Sequence, residues 1–336
     1  MTGQDDKGDE VGMKRREFLS LAGAAALSGV AAPYVSAQEA SWPNKPVKIV
    51  VPYAPGGASD MIARPWADKL AQAFGQPFVI DNRGGAGGMI GTEAAAKSAP
   101  DGYTLLMTPN GPLTIIPSLR QAPYDATSDL VPVGRIGDLV CGFVIHPSVG
   151  PKTFAEMIEY AKKNPGKLNY GSAGLATGTH MRLEMLKHKT GIDITHVPYR
   201  GSADALNDLL PGNIQMMNEI NVLPHVKAGK LILLNINNPR RSVEFPNAPT
   251  LTELGVAGAD EPIWYCSFAP KGTPKGIIDK LNAKMREIAA TDEMKQRMRE
   301  VSADVPLQTP EEIAAFMKND FATNAELIKV AKVKLE

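Results

Sequence analysis

From residue 47 onward, short apolar runs alternate with longer segments in which apolar positions recur every three to four residues. The first run, Val47, Ile49, Val50 and Val51, is β-branched throughout and predicts a buried strand. It meets Pro55-Gly56-Gly57, after which Ser59 and Asp60 open a pattern placing Ile62, Trp66, Leu70 and Ala73 on one helical face. Further strands are predicted at 78–80, 103–107, 130–136, 140–145, 168–172, 192–199, 214–218 and 231–236, with a return segment at 264–268. Helices are expected at 89–98, at 154–163, after the small-residue turn 171–180, through 209 after Gly201, and along the stripe Ile277, Leu281, Met285, Ile288. Thr153 with Glu156 predicts a capping box, and Thr309-Pro310-Glu311-Glu312 predicts another helix start.

Strand–helix alternation is the signature of α/β architecture. The order gives one unit, a second unit from about residue 140, and C-terminal helices that return to the first. Crossings near 138–145 and 261–268 would join the two, which suits two lobes around a cleft beyond the C-terminal ends of parallel strands.

The chain has 336 residues, room for two domains, and its 36 basic and 36 acidic residues cancel. No charge block marks a nucleic-acid partner. The N-terminus reads as an export signal rather than as part of the fold. Lys14-Arg15-Arg16 precedes a weakly apolar stretch at 19–35, and Val35-Ser36-Ala37 forms a small-residue cleavage site. The paired arginines followed by Phe18-Leu19 resemble a twin-arginine signal; the alternative is a general secretory n-region. Residues 1–37 are therefore expected to be removed, leaving a periplasmic chain that starts near Gln38.

Four loops at strand ends carry candidate chemistry: 55–60, 108–111, 172–180 and 218–221. The first and third share a strand, glycine with hydroxyl residues, and a helix start. Such a turn directs backbone N–H groups and the helix dipole at an anion. One in each lobe fits a carboxylate held from both sides; the alternative is two ordinary glycine-rich turns. Signals for catalysis are poor. The glycines at 84–88 miss a strict G-x-G-x-x-G, and no P-loop, H-E-x-x-H or G-x-S-x-G occurs. The five histidines, His146, His180, His188, His196 and His225, lack metal-ligand spacing. His180 fits either a cap or the cleft. Glu219 fits either a cleft carboxylate accepting from a ligand amine or hydroxyl, or a helix N-terminal residue. Arg64 and Arg83 read as structural ion-pair partners.

The segments WPNKPVKIVVPYAPGGASDMIAR, DNRGGAGGMIGTEAAAKSAPDGYTLL, LNYGSAGLATGTH, HVPYRGSADALNDLLPGNI and PNAPTLTELG, in that order, resemble the Bug-type solute-binding proteins. These are periplasmic receptors of tripartite tricarboxylate transporters. The resemblance spans essentially the whole mature chain. It implies an α/β, two-lobed periplasmic-binding-protein fold (Venus flytrap, type II) with two crossover strands. Residues 38–139 and 265–336 would form lobe one, and 140–264 lobe two. It also implies a monomer that binds a small carboxylate, docks on a membrane permease, and has no cofactor, metal site, catalysis or nucleic-acid partner. The alternatives are a carboxylate sensor docking on a signalling partner and a periplasmic α/β enzyme.

Carried over by position, the lobe-one grip is Pro55, Gly56, Gly57, Ala58, Ser59 and Asp60. The lobe-two grip is Ser172, Ala176, Thr177, Gly178 and Thr179. The far end of the ligand would meet Thr108, Asn110, Tyr199, Asn218, Glu219 and the residues up to Asn221. The chain departs from the family pattern in the two prolines of Thr108-Pro109-Asn110-Gly111-Pro112. It departs again at Asn218, where Phe is common, and at Glu219, where Asp is expected. These changes predict a more polar far end. On the resemblance, Cys141 and Cys266 fall on the two crossings, where they would form a disulfide or stand as two small buried residues.

Overall fold

The computed structural model describes residues 41–256, 260, 262–330 and 333. The expected export signal, residues 1–37, and residues 257–259 and 261 near the second crossing lie outside them.

Two sheets organise the chain. The first contains β1 (Val47–Val51), β2 (Phe78–Asn82) and β3 (Thr104–Pro109) with β4 (Leu130–Leu139), β10 (Trp264–Pro270) and β11 (Ala303–Asp304), in the order β11-β4-β10-β3-β1-β2. The central strand β1 pairs in parallel with β2 (Val47 opposite Phe78) and β3 (Lys48 opposite Thr104), and β10 runs antiparallel between β3 and β4. A strand bounded on both sides by neighbours and covered on both faces must be apolar, and Val47, Ile49, Val50 and Val51 are all buried. The second sheet holds β5 (Val144–Ile145), β6 (Asn169–Ser172), β7 (Thr195–Pro198), β8 (Met216–Met217) and β9 (Ile232–Leu233), in the order β7-β6-β8-β5-β9.

Helices cover both sheets. On the first these are α1 (Ala58–Phe74), α2 (Met89–Ala96), α3 (Ile116–Leu119), α8 (Lys275–Ala290), α9 (Asp292–Glu300) and α10 (Pro310–Val330). On the second they are α4 (Phe154–Lys163), α5 (Gly178–Thr190), α6 (Ser202–Leu209) and α7 (Leu223–Lys227). The capping box at Thr153 and Glu156 forms as read, with Glu156 N–H donating to Thr153 Oγ1 at 3.2 Å. Thr309 and Glu312 form the same reciprocal pair at the start of α10. The C-terminal helices do return to the first sheet: Ile313 and Met317 pack with Val50, Leu106 and Phe268. Among the described residues no helix is long and apolar enough to cross a membrane.

The predicted strand 140–145 is shorter than expected, because the crossing uses its first half. Gly142 passes so close to the carbonyl of Asn235 that a Cβ would lie 1.6 Å from that oxygen, so only glycine fits. Phe143 N–H is taken by the Asn235 side chain at 3.1 Å instead of a ladder partner. Beside it, Leu139 N–H donates to the Ile263 carbonyl at 2.9 Å, so the two crossings run side by side.

The expectation of a disulfide is corrected. Both cysteines are free and buried, in different surroundings. Cys266 lies opposite Thr108 and Arg135 inside the first sheet, within the apolar cluster of Trp264 and Phe268. The Cys141 thiol instead lies 3.1 Å from Asn218 Oδ1 and 2.8 Å from Arg182 Nη1. They are two small buried residues.

Candidate functional site

The cleft between the sheets is almost closed. It narrows to a cavity of about 20 Å³ lined by Tyr53, Gly57, Ala58, Ser59 and Pro109 on one side and Ala173, Thr177, Gly178, Thr179, Ser202 and Glu219 on the other, with Ile263 and Tyr265 from the crossing. That is room for about one water. Across it, Ala58 N–H donates to Ser202 Oγ at 3.0 Å.

Two helix N-termini meet here. On one side α1 begins at Ala58 after a Gly57 cap that supplies no side-chain acceptor, so its first-turn N–H groups depend on what faces them. On the other, α5 begins at Gly178 behind Thr177, whose Oγ1 accepts from His180 N–H. The small residues at the two starts keep the approach open. A Cβ on Gly57 would lie 3.1 Å from Ser202 Oγ, and one on Gly178 would lie 2.8 Å from Ile263.

Both loops are held by their own side chains. The Asp60 carboxylate accepts from Gly56 N–H at 2.9 Å, from Arg64 Nε at 2.8 Å and from Asn82 Nδ2 at 3.2 Å. It therefore fixes the turn rather than facing a ligand, and Arg64 is its structural partner as read. Arg83 likewise pairs with Asp81. In the second loop Ser172 Oγ accepts from Gly174 N–H, Thr179 Oγ1 accepts from Ala173 N–H, and Thr177 Oγ1 donates to the Gly174 carbonyl. Ala176 takes a positive φ of 57°, and its N–H donates to His180 Nδ1 at 3.2 Å. His180 is thus a structural acceptor. Its ring stacks on His196 with centroids 4.0 Å apart, and His196 Nε2 lies 2.6 Å from Ser172 Oγ. Burial pushes His180 down to about 4 and His196 down to about 3, so both rings are neutral props under the loop.

Of the residues carried over by position, Gly57, Ala58, Ser59, Thr177, Gly178, Thr179 and Glu219 line the cavity. Asn110 lines a neighbouring cavity with Arg135, Asp138 and Trp264, and its Oδ1 lies 3.0 Å from where a Gly178 Cβ would sit. The others do not line it. Pro55 and Gly56 are exposed at the turn, while Ser172 and Ala176 brace the second loop. Thr108 Oγ1 turns back on the Pro109 carbonyl within β3. The Tyr199 hydroxyl donates to Asp208 at 2.7 Å on α6, away from the cleft. Asn218 lies behind Glu219, accepting from Arg182 Nη1 at 2.7 Å and donating to Asn237 Oδ1 at 2.7 Å.

The sequence reading passed over Ser202, Tyr53, Ile263 and Tyr265 as lining residues, while Pro109 and Ala173 fell inside its candidate loops without being singled out. Ser202 carried a usable signal, because Gly201-Ser202-Ala203-Asp204 repeats the strand, glycine, hydroxyl and helix-start pattern a third time. The tyrosines gave none, since their hydroxyls are spent on the frame: Tyr53 donates to the Gly87 carbonyl at 2.8 Å and Tyr265 bonds with Ser59.

Glu219 is the chemical outlier. It is 2% exposed, and its Oε2 has no hydrogen-bond partner. Burial raises its pKa to about 8, against the opposing field of Arg182. Among the described residues no group of three or more His, Cys, Asp or Glu side chains is placed to hold a metal.

Residues 62–333 match the model of the tripartite tricarboxylate transporter family receptors. The chain is 36% identical over 315 residues to BugT of Bordetella pertussis, covering 93% of this chain and 96% of that protein. Among solved structures it is similar to Rpa4515 of R. palustris with adipate, at a TM-score of 0.84 and 32% identity, over 87% of this chain and 99% of that one. It is also similar to the periplasmic binding protein BugD, at a TM-score of 0.83 and 33% identity, over 88% of this chain and all (100%) of that one.

Proposed function

Because this chain belongs to the receptors of the tripartite tricarboxylate transporter family, we propose that it captures a small carboxylate in its inter-lobe cleft and delivers it to the family's membrane permease. The observation that carries this reading is the meeting of two helix N-termini, α1 and α5, across one cavity. Aligned peptide dipoles and first-turn N–H groups attract an anion from both sides without a permanent opposite charge in the site. The adipate-bound relative points the same way.

Binding then acts through shape. In an open cleft each N-terminus faces water. A carboxylate between them gives both an acceptor and favours closure, since only the closed form holds both sets of donors on one anion. In the closed form Ser202 Oγ takes the Ala58 N–H. Its hydroxyl stands where a ligand oxygen would compete, which keeps that donor satisfied until a ligand arrives. The closed form is the one expected to dock on the permease. Action in the periplasm after export by the twin-arginine route belongs to the same reading.

Calorimetry with a panel of carboxylates tests it. One compound should bind with micromolar or tighter affinity and be recovered unchanged after long incubation with the protein. Conversion of the bound compound would establish an enzyme instead.

A further inference from the structure

A separate cavity lies in the first lobe, away from the cleft. It encloses about 760 Å³ between the first half of α10 and the segment 113–132, and it shares no lining residue with the cleft cavity. That volume falls in the range of small-molecule sites. Its floor extends the core: Leu113, Tyr124, Ala126, Leu130 and Met317 are buried members of one apolar cluster, and all line it. The Tyr124 hydroxyl donates to the Pro112 carbonyl at 2.7 Å, which leaves its ring to the cavity. Phe321, about one turn after Met317 on α10, lines the same cavity and is 36% exposed. Apolar surface thus runs from the core out to solvent.

The rim of this cavity has a sign. Arg120 and Lys318 line it and are both exposed. Arg120 Nη2 reaches the Ala86 carbonyl at 3.5 Å, and among the described residues no carboxylate pairs with either cation. Asp125 is the acidic side chain at the rim, and its own turn occupies it. Its Oδ1 accepts from Thr127 N–H at 2.8 Å and from Thr127 Oγ1 at 2.7 Å, bonds that hold its carboxyl below the usual range. Two unpaired cations therefore stand over an apolar floor.

We propose that this cavity is a second binding site, for a free alkyl-chain carboxylate whose chain covers the apolar floor and whose head meets Arg120 and Lys318. The chain supplies the affinity by leaving water. The head supplies selectivity, since ion pairs at an exposed rim contribute modestly while a cationic head is repelled. A short dicarboxylate fits poorly, because its second charge would lie on the apolar floor. A permease fits poorly as well. Every lining residue comes from the first lobe, so a rigid movement of the lobes leaves this surface unchanged, and a partner that distinguishes closed from open reads nothing from it. The site is independent of the carboxylate clamp and stands or falls without it.

Titration calorimetry with hexanoate, octanoate and decanoate, each below its micelle-forming concentration, tests the proposal. Affinity should rise about fourfold with each added methylene. Decanoate should bind at least about threefold more tightly than decyltrimethylammonium, which has the same chain and the opposite charge. Two variants place the site. Ala314→Trp fills the cavity from an exposed position on α10 and should weaken decanoate by roughly tenfold or more. Arg120→Glu combined with Lys318→Glu should abolish the preference for the carboxylate head. Both variants should keep the circular dichroism of the parent. Failure of decanoate to bind overturns the proposal, and so does a cationic amphiphile that binds as tightly. Binding that survives both variants also overturns it and moves the alkanoate to the cleft. If no alkanoate binds, but phosphatidylglycerol vesicles capture the parent and not Ala314→Trp, the face belongs to a membrane and the proposal falls. Failure of the clamp reads differently: decanoate then binds as expected while no short carboxylate occupies the cleft.

Discussion

At the scale of single residues, the site separates into side chains that build the frame and one that is left over. Asp60, Ser172, Thr177, Thr179 and His180 all spend their polar atoms on the two loops, which leaves backbone N–H groups to face the cleft. The sequence reading gave the grip to backbone N–H groups and left His180 as either a cap or a cleft residue, without saying where each side chain turns. Which way each one turns depends on partners far along the chain, such as His196 beneath Ser172, and no local pattern encodes that. Glu219 was legible as a carboxylate at a strand end but not as one whose buried Oε2 lacks a hydrogen-bond partner, because that depends on which residues the fold brings around it. Its pKa is raised from an ordinary 4.5 to about 8 by burial. The folded state therefore holds a proton that the unfolded state gives up, and stability attributable to this group falls as pH climbs from about 4.5 to about 8. Glu219→Gln should consequently raise the melting temperature, by more at pH 8 than at pH 5, as thermal unfolding followed by circular dichroism would show. A variant less stable than the parent at pH 8 would mean that Glu219 has a protein partner after all. His180 and His196 act in the opposite sense: kept neutral by burial, they remove stability as pH falls below about 6.5 toward 4, and Glu219→Gln leaves that limb in place.

At the scale of elements, the regular parts of the fold followed from periodicity and capping chemistry. The β-branched run at Val47–Val51 became the central strand, and the Thr153 and Thr309 boxes opened helices where they were read. The hinge did not follow, because Gly142 is dictated by the backbone of Asn235, which is 93 residues away along the chain and contacts it only in the fold. The glycine cluster 84–88 looked like a defective dinucleotide fingerprint. It lies where the lobes meet instead: Gly87 has φ of 69°, and a Cβ there would lie 2.6 Å from the Leu175 carbonyl on the opposite lobe. Gly87→Val should therefore leave the secondary structure intact while holding the lobes apart, lowering ligand affinity by roughly tenfold or more, since closure is what brings both sets of donors to the anion. Calorimetry on the folded variant would check this, and an unchanged affinity would show that the contact is incidental to closure.

At the scale of the molecule, two lobes meet over a cavity with room for about one water, and a ligand must open and reclose them. Apolar contact helps to hold the closed form: Ile115 and Ile116 from the first lobe pack with Ala176 and Met181 from the second. Across the cavity Ser202 already occupies one donor of α1. A ligand carboxylate thus gains only what its charge adds over a neutral acceptor, and that difference is the quantity on which the account rests. The most direct measurement compares the tightest-binding acid with its primary carboxamide, which matches it in shape but carries no charge and exposes N–H donors to the helix starts. Two charge-assisted hydrogen bonds lost should weaken binding on the order of 100-fold. A carboxamide that binds as tightly as the acid would contradict a clamp built from two helix N-termini.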